Sequence, residues 1–189
     1  MKTPIILITS ILIFASNAVF ADSNLIRNSA NNHWYQRFDT SMNWHAAKSF
    51  CEKRGGYLAT LTSKSENDFV WNNLGITSTN NGGIWLGATN DKNSTESGTG
   101  AYQWITGEKW SYTNWNAGEP NNAQVVTGGG EHYLEFFAAT EPVVQGTWND
   151  ISIYNRGSLW SENQDNYPSQ YRDTSAICEW GGNLGSWNF

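Results

Sequence analysis

Positive charge is scarce in this sequence. Only 11 Lys and Arg stand against 17 Asp and Glu, for a formal net charge of −6. Nucleic acid and anionic membrane surfaces are held by basic patches, so the composition argues against both as partners. Histidine is limited to His33, His45 and His132. None of them belongs to a Ser/His/Asp pattern or a His-Glu-x-x-His motif, and there is no phosphate-binding loop. They read as loop and surface residues, and no enzymatic activity is expected. There are no internal repeats and no coiled-coil heptads. Charged residues make up only 15% of the chain.

Long apolar runs are also missing, with one exception at the start. Lys2 precedes Ile5 to Ala15, and Val19-Phe20-Ala21 ends on a small residue. Charge, short apolar core and small-residue site, in that order, make residues 1–21 a secretory signal peptide. An uncleaved anchor is the competing reading. Against it, the apolar core is short for a span of about 20 residues, and Asn17 interrupts it. Loss of residues 1–21 leaves 168 of the 189 residues, enough for one domain with a real core and with no membrane span. The expected location is secreted or extracellular, or periplasmic in a bacterial host. Cys51 and Cys178 are the only cysteines. An even count in an exported chain favours one disulfide, with two buried free thiols as the alternative.

Aromatic residues are abundant, at 14% with 11 Trp, among 18 Gly and many Asn, Ser and Thr. That mixture suggests short strands and long structured loops rather than a helical bundle. Residues 22–32 read as a polar tail and His33 to Phe38 as a first strand. A helix capped by Ser41 follows, with Trp44, Ala47 and Cys51 on one face, and Gly55-Gly56 ends it. Ser63 and Glu66 form a capping box for a second helix whose inner face holds Phe69, Val70 and Leu74. Ile84 to Ala88, Tyr102 to Trp104, Tyr133 to Phe136, Thr147-Trp148 and Ala176 to Trp180 read as strands. Residues 114–130 are mostly loop. The expected class is α+β.

Oxygen donors then gather in the loop-rich half: Glu119 and Asn121 around Pro120, Glu131 ten residues after Asn121, and Asn149-Asp150 at a strand end. Three carboxylates and two amide oxygens suit calcium, which takes 6–8 oxygens in flexible geometry. With few imidazoles and no thiolate near, zinc and copper fit less well. A cis Glu119–Pro120 bond would turn the side chains of Glu119 and Asn121 toward one point. The plainer alternative is an ordinary polar turn. A glycosidase pair of Glu131 and Asp150 is the hydrolase alternative. The all-oxygen metal site accounts for both of them and for three further residues.

Glu119-Pro120-Asn121, Trp148-Asn149-Asp150, Ile177-Cys178-Glu179 and Ile84-Trp85-Leu86-Gly87 together resemble the C-type lectin domain, over about Trp34 to Trp180. The resemblance implies a C-type lectin-like domain spanning residues 33–180, with two helices, short antiparallel sheets, long calcium-binding loops and a tail at 181–189. It implies a Cys51–Cys178 disulfide. It also implies that Glu119, Asn121, Glu131, Asn149 and Asp150 hold one Ca2+, to which two neighbouring sugar hydroxyls add. Glu-Pro-Asn is the family's mannose-type order, which implies glycans bearing terminal mannose, fucose or N-acetylglucosamine. A protein-binding or adhesion module without sugar specificity is the alternative, since one scaffold hosts many ligands. Useful avidity would need several sites, as a homo-oligomer would supply.

The chain also departs from the family pattern. Tyr133 and Ile153 stand where a second disulfide is common. Asn90, Asn122 and His132 replace carboxylates of an auxiliary calcium site, so one calcium is expected. Residues 124–130 and 154–174 are longer than usual. Tyr154, Trp160, Tyr167 and Tyr171 in the second segment either extend the ligand surface or cover the core. Asn93-Ser94-Thr95 is an N-glycosylation sequon in a eukaryotic host.

Overall fold

The computed structural model describes residues 23–40, 42–76, 83–91, 101–123, 130–137, 145–153 and 175–181. Residues 1–21, Ser41, the Asn93 sequon, residues 124–129, the aromatic segment 154–174 and the tail from 182 lie outside them.

The segment expected as a loose N-terminal tail contains a strand, β1 (Ile26–Asn28), paired antiparallel with β2 (His33–Phe38). Helix α1 (Trp44–Glu52) is capped by Asn43, whose side chain accepts the Ala46 N–H. The helix therefore starts later than a Ser41 cap would allow. It buries Trp44, Ala47 and Cys51, as the spacing predicts. After β3 (Tyr57–Leu58), Ser63 caps α2 (Lys64–Asn73) by accepting the Glu66 N–H. The other half of the capping box is not formed. Glu66 turns inward and takes the N–H and hydroxyl of Thr62 at 2.7 and 3.0 Å. The buried face of α2 accordingly holds Glu66, Asn67, Val70 and Trp71, while Phe69 is only partly buried.

The remaining strands are β4 (Ile84–Thr89), β5 (Gln103–Trp104), β6 (Tyr133–Phe136), β7 (Trp148–Ile151) and β8 (Ser175–Trp180). They form one mixed sheet in the order β1-β2-β8-β4-β6-β7, with β3 on β8 and β5 on β4. The expected short antiparallel sheets are thus joined by a single parallel pairing, Ile84 and Trp85 against Ser175 and Ala176. Strand periodicity sorts the core into two clusters. Ile84, Leu86 and Ala88 face one, with Trp71, Leu134, Phe136 and Trp148. Trp85 faces the other, with Trp44, Cys51, Tyr133, Cys178 and Trp180. β4 reads as continuously apolar because both of its faces are covered.

Cys51 and Cys178 are bonded, with Cα atoms 5.3 Å apart, and join α1 to β8 across 127 residues of sequence. Nearby, two buried carboxylates, Glu66 and Glu179, gather beside the His33 imidazole. His33 Nδ1 lies 2.5 Å from Glu179 Oε1. Tyr35 donates to Glu66 Oε1 at 2.6 Å, and the Thr60 N–H to Glu179 Oε2 at 2.8 Å. This is the tightest acid–imidazole trio among the described residues. The hydrogen bond to Glu179 raises the His33 pKa above its ordinary value, and the charges of Glu179, Glu66 and Glu108 add to it. The reading of all three histidines as loop or surface residues therefore fails for His33, and also for His132, which is buried.

Two predictions follow from these ties. Because the folded state holds the His33 proton more tightly, its contribution to stability is complete below the unfolded value of about 6.5 and is lost as pH rises through the folded value. Between pH 6.5 and 9 the wild-type melting temperature should fall, and in His33→Gln it should fall less. Parallel curves would show that the proton is not linked to folding. Replacing Cys51 and Cys178 together by Ala should lower stability by about 4–5 kcal/mol in denaturant titration, the chain-entropy value for so long a loop.

Candidate functional site

The loop before the site is pinned at Trp148. The Trp148 N–H donates to the Asn114 carbonyl at 2.8 Å, and the Asn116 N–H donates to the Trp148 carbonyl at 2.9 Å. The buried indole donates to Asn67 Oδ1 and packs against Trp104, Trp110, Tyr112 and Trp115. From Asn116 the chain reverses. The Glu119 N–H returns to the Asn116 carbonyl at 3.0 Å, and Gly118 takes φ 93°, a left-handed turn position that favours glycine. The Glu119–Pro120 bond that follows is cis.

The loop then closes onto β7. Asp150, 1% exposed, accepts the Asn121 N–H on Oδ1 at 3.0 Å and the Asn122 N–H on Oδ2 at 2.8 Å. The Ala123 N–H is shared between Asn121 Oδ1 at 2.7 Å and Glu131 Oε2 at 3.1 Å. Asn122, at φ 47°, accepts the Glu131 N–H on its Oδ1 at 2.9 Å. Tyr102 donates to the Glu131 carbonyl at 3.3 Å. These bonds bring Asn121, Glu131 and Asp150 into one network, and the Glu119 carboxyl lies beside Asp150 and Asn121.

Asn149, the fifth expected residue, is 7% exposed and donates to Glu135 Oε1 on β6. Its contact to the group is through the chain, as the neighbour of Asp150. Glu135 and Tyr102 are the residues that sequence reasoning missed, and Asn122 was expected only at an auxiliary site. For Glu135 the only signal was a carboxylate within an otherwise apolar strand. The residues expected to replace an auxiliary site are all engaged. His132 Nδ1 lies 3.0 Å from Asn90 Oδ1, and Asn122 braces Glu131. Tyr133 and Ile153 are buried in the second core cluster.

Like charge is crowded here. Burial first, then the neighbouring Asp150 carboxyl, pushes Glu119 up to about 6. Burial first, then the charge of Asp150, pushes Glu131 up to about 7, against the opposing Ala123 N–H bond. One oxygen of Glu119, Oε2, is buried with no hydrogen-bond partner among the described residues. An orphaned oxygen in a group of crowded carboxylates is an arrangement that a hard cation would relieve.

The C-type lectin domain model ("Lectin C-type domain") matches residues 40–152. This chain belongs to the C-type lectin family. That family is one of non-enzymatic carbohydrate-binding domains. This C-type lectin domain is 34% identical over 110 residues to a perlucin-like protein of Mytilus galloprovincialis, covering 58% of this chain and 62% of that protein. It is 31% identical over 124 residues to a lectin of Pleurodeles waltl, covering 63% of each. The chain thus spans just under two thirds of the length of these curated relatives. The human scavenger receptor C-type lectin carbohydrate-recognition domain shares the fold, with TM-score 0.56 and 22% identity over 82% of this chain and 95% of that one.

The crowding generates a prediction for the metal-free lectin domain. Glu119 and Glu131 hold protons more tightly when folded, so the folded state binds more protons than the unfolded between their ordinary value and about 7. Stability must fall as pH rises through that window. With chelator present, Glu131→Gln should melt above wild type at pH 7.5, and the gap should close near pH 4.5. A gap that is independent of pH would refute the linkage.

Proposed function

We propose that this chain is a secreted, calcium-dependent, carbohydrate-binding lectin of the mannose type. Glu119, Asn121, Glu131, Asn149 and Asp150 would hold the calcium. The observation that carries this reading is the convergence of the Glu119–Ala123 loop on Asp150 and Glu131. It gathers acceptor oxygens that backbone N–H groups only partly satisfy, and it leaves Glu119 Oε2 without a hydrogen-bond partner among the described residues. The donor set is all oxygen, which suits calcium. Bound calcium would supply open coordination positions for two neighbouring sugar hydroxyls.

The protein side chains then do the selecting. A hydroxyl can donate to a carboxylate and accept from an Asn amide, and the site mixes both types. Glu119 before Pro120 and Asn121 after it set donors and acceptors in the order that suits the 3- and 4-hydroxyls of mannose, the equivalent pair of fucose, and N-acetylglucosamine. Family membership supports sugar as the ligand class. Among the described residues no helix is long and apolar enough to cross a membrane.

The reading is tested on immobilised mannose, fucose and N-acetylglucosamine. The full chain should be retained in calcium and eluted by EDTA, and the variant Glu119→Gln/Asn121→Asp should lose retention on all three while keeping its melting temperature in EDTA. Passage through all three columns, with a melting temperature still raised by calcium, would instead favour the protein-binding module.

A further inference from the structure

Glu135 is a fully buried carboxylate in the middle of β6, between Leu134 and Phe136. Burying a carboxylate is costly unless it is paired. Among the described residues a partner is Asn149, directly opposite in the β6–β7 register, whose Nδ2 donates to Glu135 Oε1 at 3.1 Å. We infer that Glu135 is a positioning residue, whose carboxylate holds the Asn149 amide in the one orientation that presents Oδ1, and not Nδ2, to the calcium. The inference rests on the calcium reading above.

The two ends of a side-chain amide are nearly identical in shape and opposite in chemistry. A cation accepts only the oxygen end. Packing alone selects poorly between the two orientations, since a flip changes little volume, so a hydrogen-bond partner has to select. Glu135 is suited to that task because an ionised carboxylate only accepts. Turned the other way, Asn149 would set Oδ1 against Oε1 and lose the bond. Among the described residues Glu135 is the side chain that Asn149 hydrogen-bonds, and this bond selects the orientation of its amide. With Nδ2 committed to β6, Oδ1 is the free end, on the residue next to Asp150.

A further feature places Glu135 for this role. Its carboxylate lies over the backbone of Gly83, where an added Cβ would stand 1.4 Å from Oε2 and 2.0 Å from the carboxyl carbon. Glycine is thus required at the entry to β4 for the carboxylate to reach its position. Groups that orient a metal ligand from behind commonly change metal affinity by about 10–100-fold when replaced.

The test is calcium titration calorimetry on the full chain, beside the melting temperature in EDTA. Glu135→Gln preserves shape but can donate as well as accept, so it no longer selects one orientation of Asn149. It should keep the metal-free melting temperature and weaken calcium by about tenfold or more. In Glu135→Gln/Asn149→Asp the new amide donates to a carboxylate whose other oxygen faces the metal in either rotamer. This double variant should recover most of the loss, which a merely structural role for Glu135 would not produce. Wild-type affinity in Glu135→Gln, or a loss that the double variant does not recover, would overturn the assignment while leaving the calcium site standing. A wild-type chain that binds no calcium would overturn both. If Glu135→Gln does not fold, NMR of the metal-free wild type decides. The Asn149 side-chain NH2 should be protected from solvent exchange, and free exchange would overturn the assignment.

Discussion

The burial of one indole organises the functional half of this molecule. Trp148 uses its N–H, its carbonyl and its ring nitrogen on Asn114, Asn116 and Asn67, which belong to the long loop and to α2. Four aromatic rings close around it. A long loop is held in place only where its backbone polar groups find partners and its side chains find a core. Trp148 supplies both at one point. The residues immediately after it, Asn149 and Asp150, therefore meet a loop whose path is already set. The turn at Gly118 and the closure of Asn121 and Asn122 onto Asp150 depend on that anchor.

Two groups of wholly or partly buried acids among the described residues contrast in how their charge is met. At Glu66 and Glu179 nearby groups neutralise or solvate the charge: His33, Tyr35, Tyr57, and the backbone of Thr60 and Thr62. That group ties the N-terminal hairpin to α2 and β8, and its oxygens are well supplied with donors. At Glu119, Glu131 and Asp150 the donors are mainly backbone N–H groups of the loop, and among the described residues no cationic side chain contributes. Asp150 adds to the raised pKa values of Glu119 and Glu131, and one Glu119 oxygen has no hydrogen-bond partner among the described residues. Uncompensated charge of this kind is kept where a ligand completes it.

Much of this was legible in the chain. Helical spacing placed Trp44, Ala47 and Cys51 inward on α1, and the apolar run at Ile84 marked the central strand. Boundaries set by competing local contacts were less legible. Asn43 caps α1 where Ser41 was expected, and the tail before His33 gains a strand by pairing with β2. The capping box at Ser63 was half right because Glu66 found stronger partners in Tyr35, Asn31 and Thr62 than in its own helix. Local pattern cannot reveal such distant competitors.

Composition, the two cysteines and four short motifs were enough to specify the family and to single out an oxygen-rich set of candidate residues, because these depend on residue type and order. Which oxygens are satisfied and which are not depended on the packing. The β6–β7 register that sets Glu135 against Asn149, the space over Gly83 and the inward turn of His33 toward Glu179 all join residues far apart in sequence. Hydrogen bonding and burial act through distance in space, and only the folded sheet brings those residues within reach of one another.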